Sequence, residues 1–245
     1  MSNLLRSQFF KIKRSKSFYI MILVAIFAAT MCLTALISQK DLAADMTGAS
    51  TMVYGCGGDV CCMMVGILAA FLLCSDFTSG SIKQIIGKGV NRNKYTLASI
   101  LSVGVVGTGL LILLATLSFA MGYFYTGKVG SINGATFLYF VVGLIICALN
   151  YTSYICLITM RFRKISISLI FAILSPSLLD ILSRLIGSLV NHGEPATVIS
   201  LNTHVYRMIE MDTAFADRMF SYSVMGCMTL LMAGLALYLF KKKDI

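Results

Sequence analysis

Six apolar runs, each long enough to cross a bilayer, limit what this chain can fold into more than any other feature of its sequence. They fall at about residues 18–38, 60–77, 97–125, 135–160, 165–190 and 220–240. A helix rising about 1.5 Å per residue needs about 20 residues to cover a hydrocarbon core about 30 Å thick. In that solvent every backbone N–H and C=O has to be satisfied within its own segment, so the runs predict an all-α polytopic bundle of six transmembrane helices. The second run is short, and Asp59 stands at its outer edge. No cleavable leader is expected, because the apolar stretch after the basic N-terminal residues continues over residues 18–38 without a small-residue cleavage pattern.

The 245 residues are 58% hydrophobic and 12% charged, too apolar for an ordinary soluble domain. A net charge of +10 would suggest nucleic acid in a soluble protein, but here the cations flank apolar runs and read as a topology signal. With both termini placed in the cytoplasm, fifteen cations lie on inner segments: Arg6, Lys11, Lys13, Arg14, Lys16, Lys83, Lys88, Arg92, Lys94, Arg161, Arg163, Lys164, Lys241, Lys242 and Lys243. Only four, Lys40, Lys128, Arg207 and Arg218, lie on outer ones. The positive-inside rule therefore puts both ends in the cytoplasm. Within residues 1–17, Leu5, Phe9 and Ile12 recur at helical spacing among the cations. They predict an amphipathic helix along the inner membrane surface, or else a basic flank that only sets orientation.

The same count makes residues 75–95, SDFTSGSIKQIIGKGVNRNKY, a cytoplasmic loop. Ile82, Ile85 and Ile86 share one face of a short helix there, with Lys83, Gln84 and Lys88 on the other side. Gly80 and Ser81 mark its start, and Gly87 and Gly89 its end. Two turns do not hold alone in water, so the apolar face docks either on the bundle above or on a protein below.

No catalytic constellation stands out: HExxH and GxSxG are absent, and Lys88 is followed by Gly89 where a phosphate-binding loop needs Ser or Thr. No metal site is expected. Cys56, Cys61 and Cys62 cluster without a His at ligand spacing, and the other cysteines sit in apolar runs as small hydrophobes. The outer segment 191–219 carries His192 and His204, far apart in sequence, and reads as a solvated loop over the outer mouth, with Val205, Met208 and Ile209 as one side of a short surface helix. Gly104, Gly107 and Gly109 offer a close-packing face in the third run. Inside the fifth run, Asp180 and Arg184 stand one turn apart just after Pro176, which favours a kink. They either line a polar pathway or form a salt bridge that fixes packing.

These features together resemble the small ABC-2 type permeases of bacterial ABC transporters, the type V exporter-like kind that moves lantibiotics, bacitracin or other antimicrobial peptides. Asp76, Phe77, Gly80, Ser81, Ile82 and Lys83 are similar to the family's acidic-aromatic-x-x-Gly-Thr-Ile-Lys stretch, and Gly89 with Arg92 to its Gly-x-x-Arg turn. Leu4, Phe9, Lys11 and Arg14 resemble its opening signature, with Gln8 where an acidic residue is usual. The resemblance implies a bacterial plasma-membrane protein that pairs with a second permease subunit, identical or sister, and with a cytoplasmic ABC ATPase dimer. ATP and Mg would be bound by that partner, leaving this chain no cofactor and no catalysis of its own. Residues 78–94 would be the coupling loop and its short helix the coupling helix, with Ile82, Ile85 and Ile86 docking on the ATPase and Lys83, Lys88 and Arg92 meeting its polar groups or inner-leaflet lipid. An amphipathic peptide exported for self-immunity or resistance is the first expected cargo. An ion, drug or lipid exporter, or a non-transporting membrane sensor or anchor that recruits an ATPase, are the alternatives.

Overall fold

A computed structural model describes residues 2–38, 47–130, 133–190, 201–210 and 213–242. Among them the chain is helical with no strands. In order come α1 (Ser2–Arg14), α2 (Lys16–Ser38), α3 (Gly48–Gly55), α4 (Gly58–Thr78), α5 (Ser81–Gly87), α6 (Arg92–Thr126), α7 (Gly134–Phe162), α8 (Ile165–Val190), α9 (Leu201–Ile209) and α10 (Phe215–Lys242). Within the described residues, α4, α6, α7 and α10 are long and apolar enough to cross a membrane. A fifth span results if α1 and α2, bent by 63° at Ser15, are taken together, while the apolar part of α8 is the shorter Ile165–Leu178. α8 continues as one helix through Pro176.

Lys83, Lys88, Arg92, Lys94, Arg161, Arg163 and Lys241 all fall at one end of the bundle, the basic end. α6 sets the scale. Its 35 residues give a rod about 52 Å long. It carries Tyr95 near the basic end and the exposed Tyr123, Phe124 and Tyr125 near the other. Those positions are about 43 Å apart along the axis, close to the full thickness of a bilayer with its headgroups; the exposed trio is suited to an aromatic belt at its surface, whereas Tyr95 is buried.

The second apolar run differs from its sequence reading. α3 precedes α4, and the two together lie antiparallel to nearly all of α6. Tyr95 meets Asp76, Gly107 faces Val65, the Cys56 thiol points at the Leu111 carbonyl at 3.9 Å, and Thr51 donates to the Ser118 carbonyl at 3.2 Å. α3 and α4 thus follow one another along α6 with a break at Cys56 and Gly57, opposite the middle of α6. α4 by itself is long and apolar enough to cross a membrane from Asp59 to Thr78, which leaves Asp59 at the edge of that run as expected. The α3 N-terminus is well satisfied. Thr47 and Ser50 form a capping box, and the amides of Gly48 and Ala49 donate to Lys128 and Val129 carbonyls at 2.8 and 3.1 Å.

Two apolar cores stack along the bundle. One, toward the basic end, joins Leu68, Leu73, Ile82, Tyr95, Ile155 and Phe240. The other is rich in sulfur: Cys56, Cys61, Cys62 and Cys147 are fully buried beside Met52, Met208 and Met225. α9 belongs to this second core. Val205, Met208 and Ile209 are buried, and a Cβ on Gly143 of α7 would stand 3.2 Å from that of Met208. Residues 201–209 therefore plug the end of the bundle instead of lying solvated over it. His192 lies outside the described residues. Gly104 and Gly107 admit Leu149 and Val65 within the bundle, while nothing lies near Gly109. Of the apolar window of α10 only 17% is buried, so most of it faces outward.

The tightest helix contact gives a direct test. A Cβ on Gly122 would fall 1.9 Å from Thr51 Oγ1 and 2.7 Å from its two neighbouring carbons. Gly122→Ala is expected to lower stability by about 1–3 kcal/mol, read as a drop in the temperature at which the purified protein loses monodispersity. Adding Thr51→Ala should recover part of that drop.

Candidate functional site

The turn that carries most of the sequence-derived site residues is built around one buried carboxylate. Asp76 ends the last full turn of α4 and is 3% exposed. An anion in that position is costly unless it is paired and hydrogen-bonded, and it collects partners from three other elements. Lys11 of α1 forms an ion pair with Oδ1. The Tyr95 hydroxyl of α6 donates to Oδ2. Ser81, the first residue of α5, donates to Oδ1 at 3.4 Å and to the Asp76 carbonyl at 3.2 Å. Gln8, buried one turn before Lys11, stands beside the Tyr95 hydroxyl. Partial burial lowers the Lys11 ammonium from its ordinary pKa by desolvation, a cost that the adjacent carboxylate offsets.

An aromatic layer backs this network. Phe77 packs edge-on against Phe240 of α10, centroids 6.4 Å apart, and Tyr95 lies at the same distance on the other side. The last turn of α10 is thereby fixed to the same block.

Gly80 makes the turn possible. It adopts φ +67°, the left-handed region where a Cβ is costly, and lets the chain reverse between α4 and α5. α5 then runs from Ser81 to the glycines at its end, as its punctuation predicts. Its orientation corrects one expectation. Ile82 is 2% exposed and packs in the core, and Ile85 and Ile86 are partly buried against the same core. The apolar face is used by the chain itself, within the core toward the basic end that α4 helps to form. The accessible side carries Lys83, Gln84, Gly87 and Lys88. Arg92, partly buried, opens α6 behind the Asn91 cap, whose side chain accepts from the Asn93 amide at 3.0 Å.

Asp180 and Arg184 are not part of this cluster. Asp180 sits more than halfway along α8 from the basic end and is partly buried; the side chain of Arg184 lies outside the described residues. Among those residues, no group of three or more His, Cys, Asp or Glu side chains is arranged to hold a metal ion. His204 is buried, with Nδ1 3.1 Å from the Ser221 hydroxyl.

Reasoning from sequence missed Tyr95, Gln8 and Phe240. A usable signal was present for Gln8 and Lys11: they share a face of α1 with Ile12, so two polar side chains interrupt the stripe that points inward. Tyr95 had only its position at the head of an apolar helix.

The hub yields a graded prediction. Asp76→Asn leaves Lys11 without its counter-charge, but Lys11 is 39% exposed, so the loss should fall below the about 3–5 kcal/mol typical of breaking a fully buried pair. Tyr95→Phe removes one hydrogen bond and should cost about 1 kcal/mol. Thermal melting followed by size-exclusion recovery should rank them in that order. Residues 4–175 match the family described as ABC-2 family transporter protein. No curated protein matches the chain. The match covers well over half of the sequence and includes α3 and α4, the Asp76 hub and α5, and the chain belongs to the ABC-2 transporter family, as a membrane-embedded permease of an ABC transporter.

Proposed function

We propose that this chain is the transport subunit of an ATP-driven exporter, taking mechanical work from a separate ABC ATPase through α5. The observation that carries this reading is the Asp76 hub. It ties α1, α4, α5 and α6 into one block, so displacement of a two-turn helix at the surface is passed to two long helices instead of being lost in a soft loop. In this reading the basic end is cytoplasmic and both termini are there. The six spans are α2, α3 with α4, α6, α7, α8 and α10. α1 lies along the inner leaflet, where Arg6, Lys13 and Arg14 are exposed beside Phe9 and Phe10, an arrangement suited to anionic headgroups below acyl chains.

ATP and Mg are handled by the partner dimer, and hydrolysis resides there. The partner meets Lys83, Gln84 and Lys88, while Ile82 anchors α5 from within. A second permease subunit completes the transporter against an apolar face of the kind α10 leaves open. The cargo is an amphipathic molecule, an antimicrobial peptide first among them, entering laterally from the inner leaflet into which it already partitions. Asp180 and Arg184 lie along its path.

Co-expression with the ATPase tests the coupling claim. Lys83→Glu together with Lys88→Glu should reduce the co-purified ATPase at least tenfold while leaving the permease itself monodisperse; undiminished recovery of the ATPase would overturn it. Replacing Asp180 and Arg184 by Leu should abolish ATP-dependent flux of a labelled amphipathic peptide in reconstituted vesicles, whereas unchanged flux would reduce the pair to packing.

A further inference from the structure

The elbow between α1 and α2 gathers charge that the chain leaves unanswered. The two helices meet at Ser15 with a 63° bend, and Lys13, Arg14 and Lys16, all exposed, stand side by side around it. Among the described residues none of the three has an ion-pair or hydrogen-bond partner for its charged group. Lys11, which turns inward, is the cation that Asp76 takes. No acid is near in sequence either, since the first in the chain is Asp41. Cations so closely spaced do not lie in hydrocarbon, so the elbow sits at a membrane surface.

What lies beneath these cations narrows the ligand. Below Lys16, Tyr19, Ile20, Leu23 and Phe27 are exposed along α2. Their steps of three and four residues make one stripe with Lys16 at its head, while Met21, Ala25 and Ala29 on the other face are packed into the bundle. From Lys16 to Phe27 the helix rises about 16 Å, the depth of one leaflet of hydrocarbon. Tyr19, one turn below the cations, brings a ring with a polar tip to the level where such side chains sit in membranes. A soluble anion or an acidic protein surface would meet the charges and leave the stripe unused. A ligand that uses both carries a phosphate above an acyl chain. Arginine holds a phosphate through two N–H donors and the lysines add point charge; a zwitterionic headgroup brings its own cation and gains less from them.

We propose that the elbow binds one anionic phospholipid, its phosphate held by Lys13, Arg14 and Lys16 and an acyl chain laid along Tyr19, Ile20, Leu23 and Phe27. This goes beyond a general attraction of α1 to an anionic leaflet, because it puts one molecule at one place and sets the elbow apart from the rest of the lipid-facing surface. It needs only that the chain is embedded in a membrane, so it stands or falls separately from cargo and ATPase.

The chain contains no tryptophan, so Leu23→Trp, at a position 68% exposed, installs a single fluorophore in the stripe. Leu230→Trp, at a position 76% exposed on α10, installs one where residues 219–240 carry no charge. Each variant is reconstituted in bilayers in which either phosphatidylglycerol or phosphatidylcholine carries brominated chains that quench tryptophan. With Leu23→Trp the anionic lipid should bind at least fivefold more strongly than the zwitterionic one. Adding Lys13→Gln, Arg14→Gln and Lys16→Gln should bring that ratio near one, and with Leu230→Trp it should be near one from the outset. The unsubstituted protein gives an independent reading: native mass spectrometry with both lipids present should show one phosphatidylglycerol retained in preference to phosphatidylcholine. Equal quenching with Leu23→Trp, a preference that survives the three glutamines, the same preference with Leu230→Trp, or no retained lipid would overturn the site. Loss of co-purified ATPase from the glutamine variant at an unchanged lipid ratio would overturn it too, and give the elbow to the protein partner. If the lipid preference holds while the Lys83 and Lys88 variants still capture the ATPase, the lipid site stands and the coupling surface falls.

Discussion

A single buried anion organises the basic end of this molecule. Asp76 receives an ammonium, a phenol and a serine hydroxyl from three different helices, and each of those donors would be poorly satisfied without it. Removing such a carboxylate costs more than any one of its bonds, because the partners are left behind without compensation. The geometry of α5 follows from this. A seven-residue helix cannot hold its own shape; here Ser81 fixes its first residue to Asp76, Gly80 allows the reversal, and Ile82 supplies burial.

The far end of the bundle is held differently. There the contacts are small-residue approaches and carbonyl acceptances: Gly122 under Thr51, Gly143 under Met208, and the Arg218 guanidinium donating to the Glu210 carbonyl at 2.7 Å while lying over the Tyr139 ring. Close backbone approach is the usual glue between helices in lipid, where apolar side chains gain little by leaving one hydrocarbon for another. α9 takes its place in the bundle by this means, capped at its end by Arg218 and with His204 tilted against the Phe220 ring. The contrast is one of kind: a buried carboxylate clamp at one end, and close backbone approach with bonds to carbonyls at the other.

Long apolar runs made the main helices legible, and the glycines around residues 80–89 marked α5 to within a residue. α3 was not legible, because TGASTMVYG is small and polar enough to read as a loop. Its helix exists through the Thr47 cap and the Lys128 and Val129 carbonyls, contacts made at long sequence separation. α9 was legible as a short helix with Val205, Met208 and Ile209 on one side, but its burial was not. Its apolar residues are interleaved with His204 and Arg207, and only a groove floored by Gly143 turns that amphipathic pattern inward. Periodicity correctly gave the apolar face of α5, but which of two neighbours that face would meet is a question of tertiary geometry, answered by the burial of Ile82 in the core toward the basic end. At the candidate site, Asp76 was found by motif, whereas Tyr95 and Phe240 came into view only when α6 and α10 were brought beside it.

The sulfur seam between α4 and α7 has a mechanical meaning. Cys61, Cys62 and Cys147 meet there with no solvent access, filling volume as hydrocarbon does while making only feeble polar ties to one another. Surfaces of that kind part and rejoin without stranding a strong donor or acceptor at either stage. In the transporter reading proposed above, a bundle that opens and reseals many times is well served by such a low-friction parting line, with thiols wetted only while it is open.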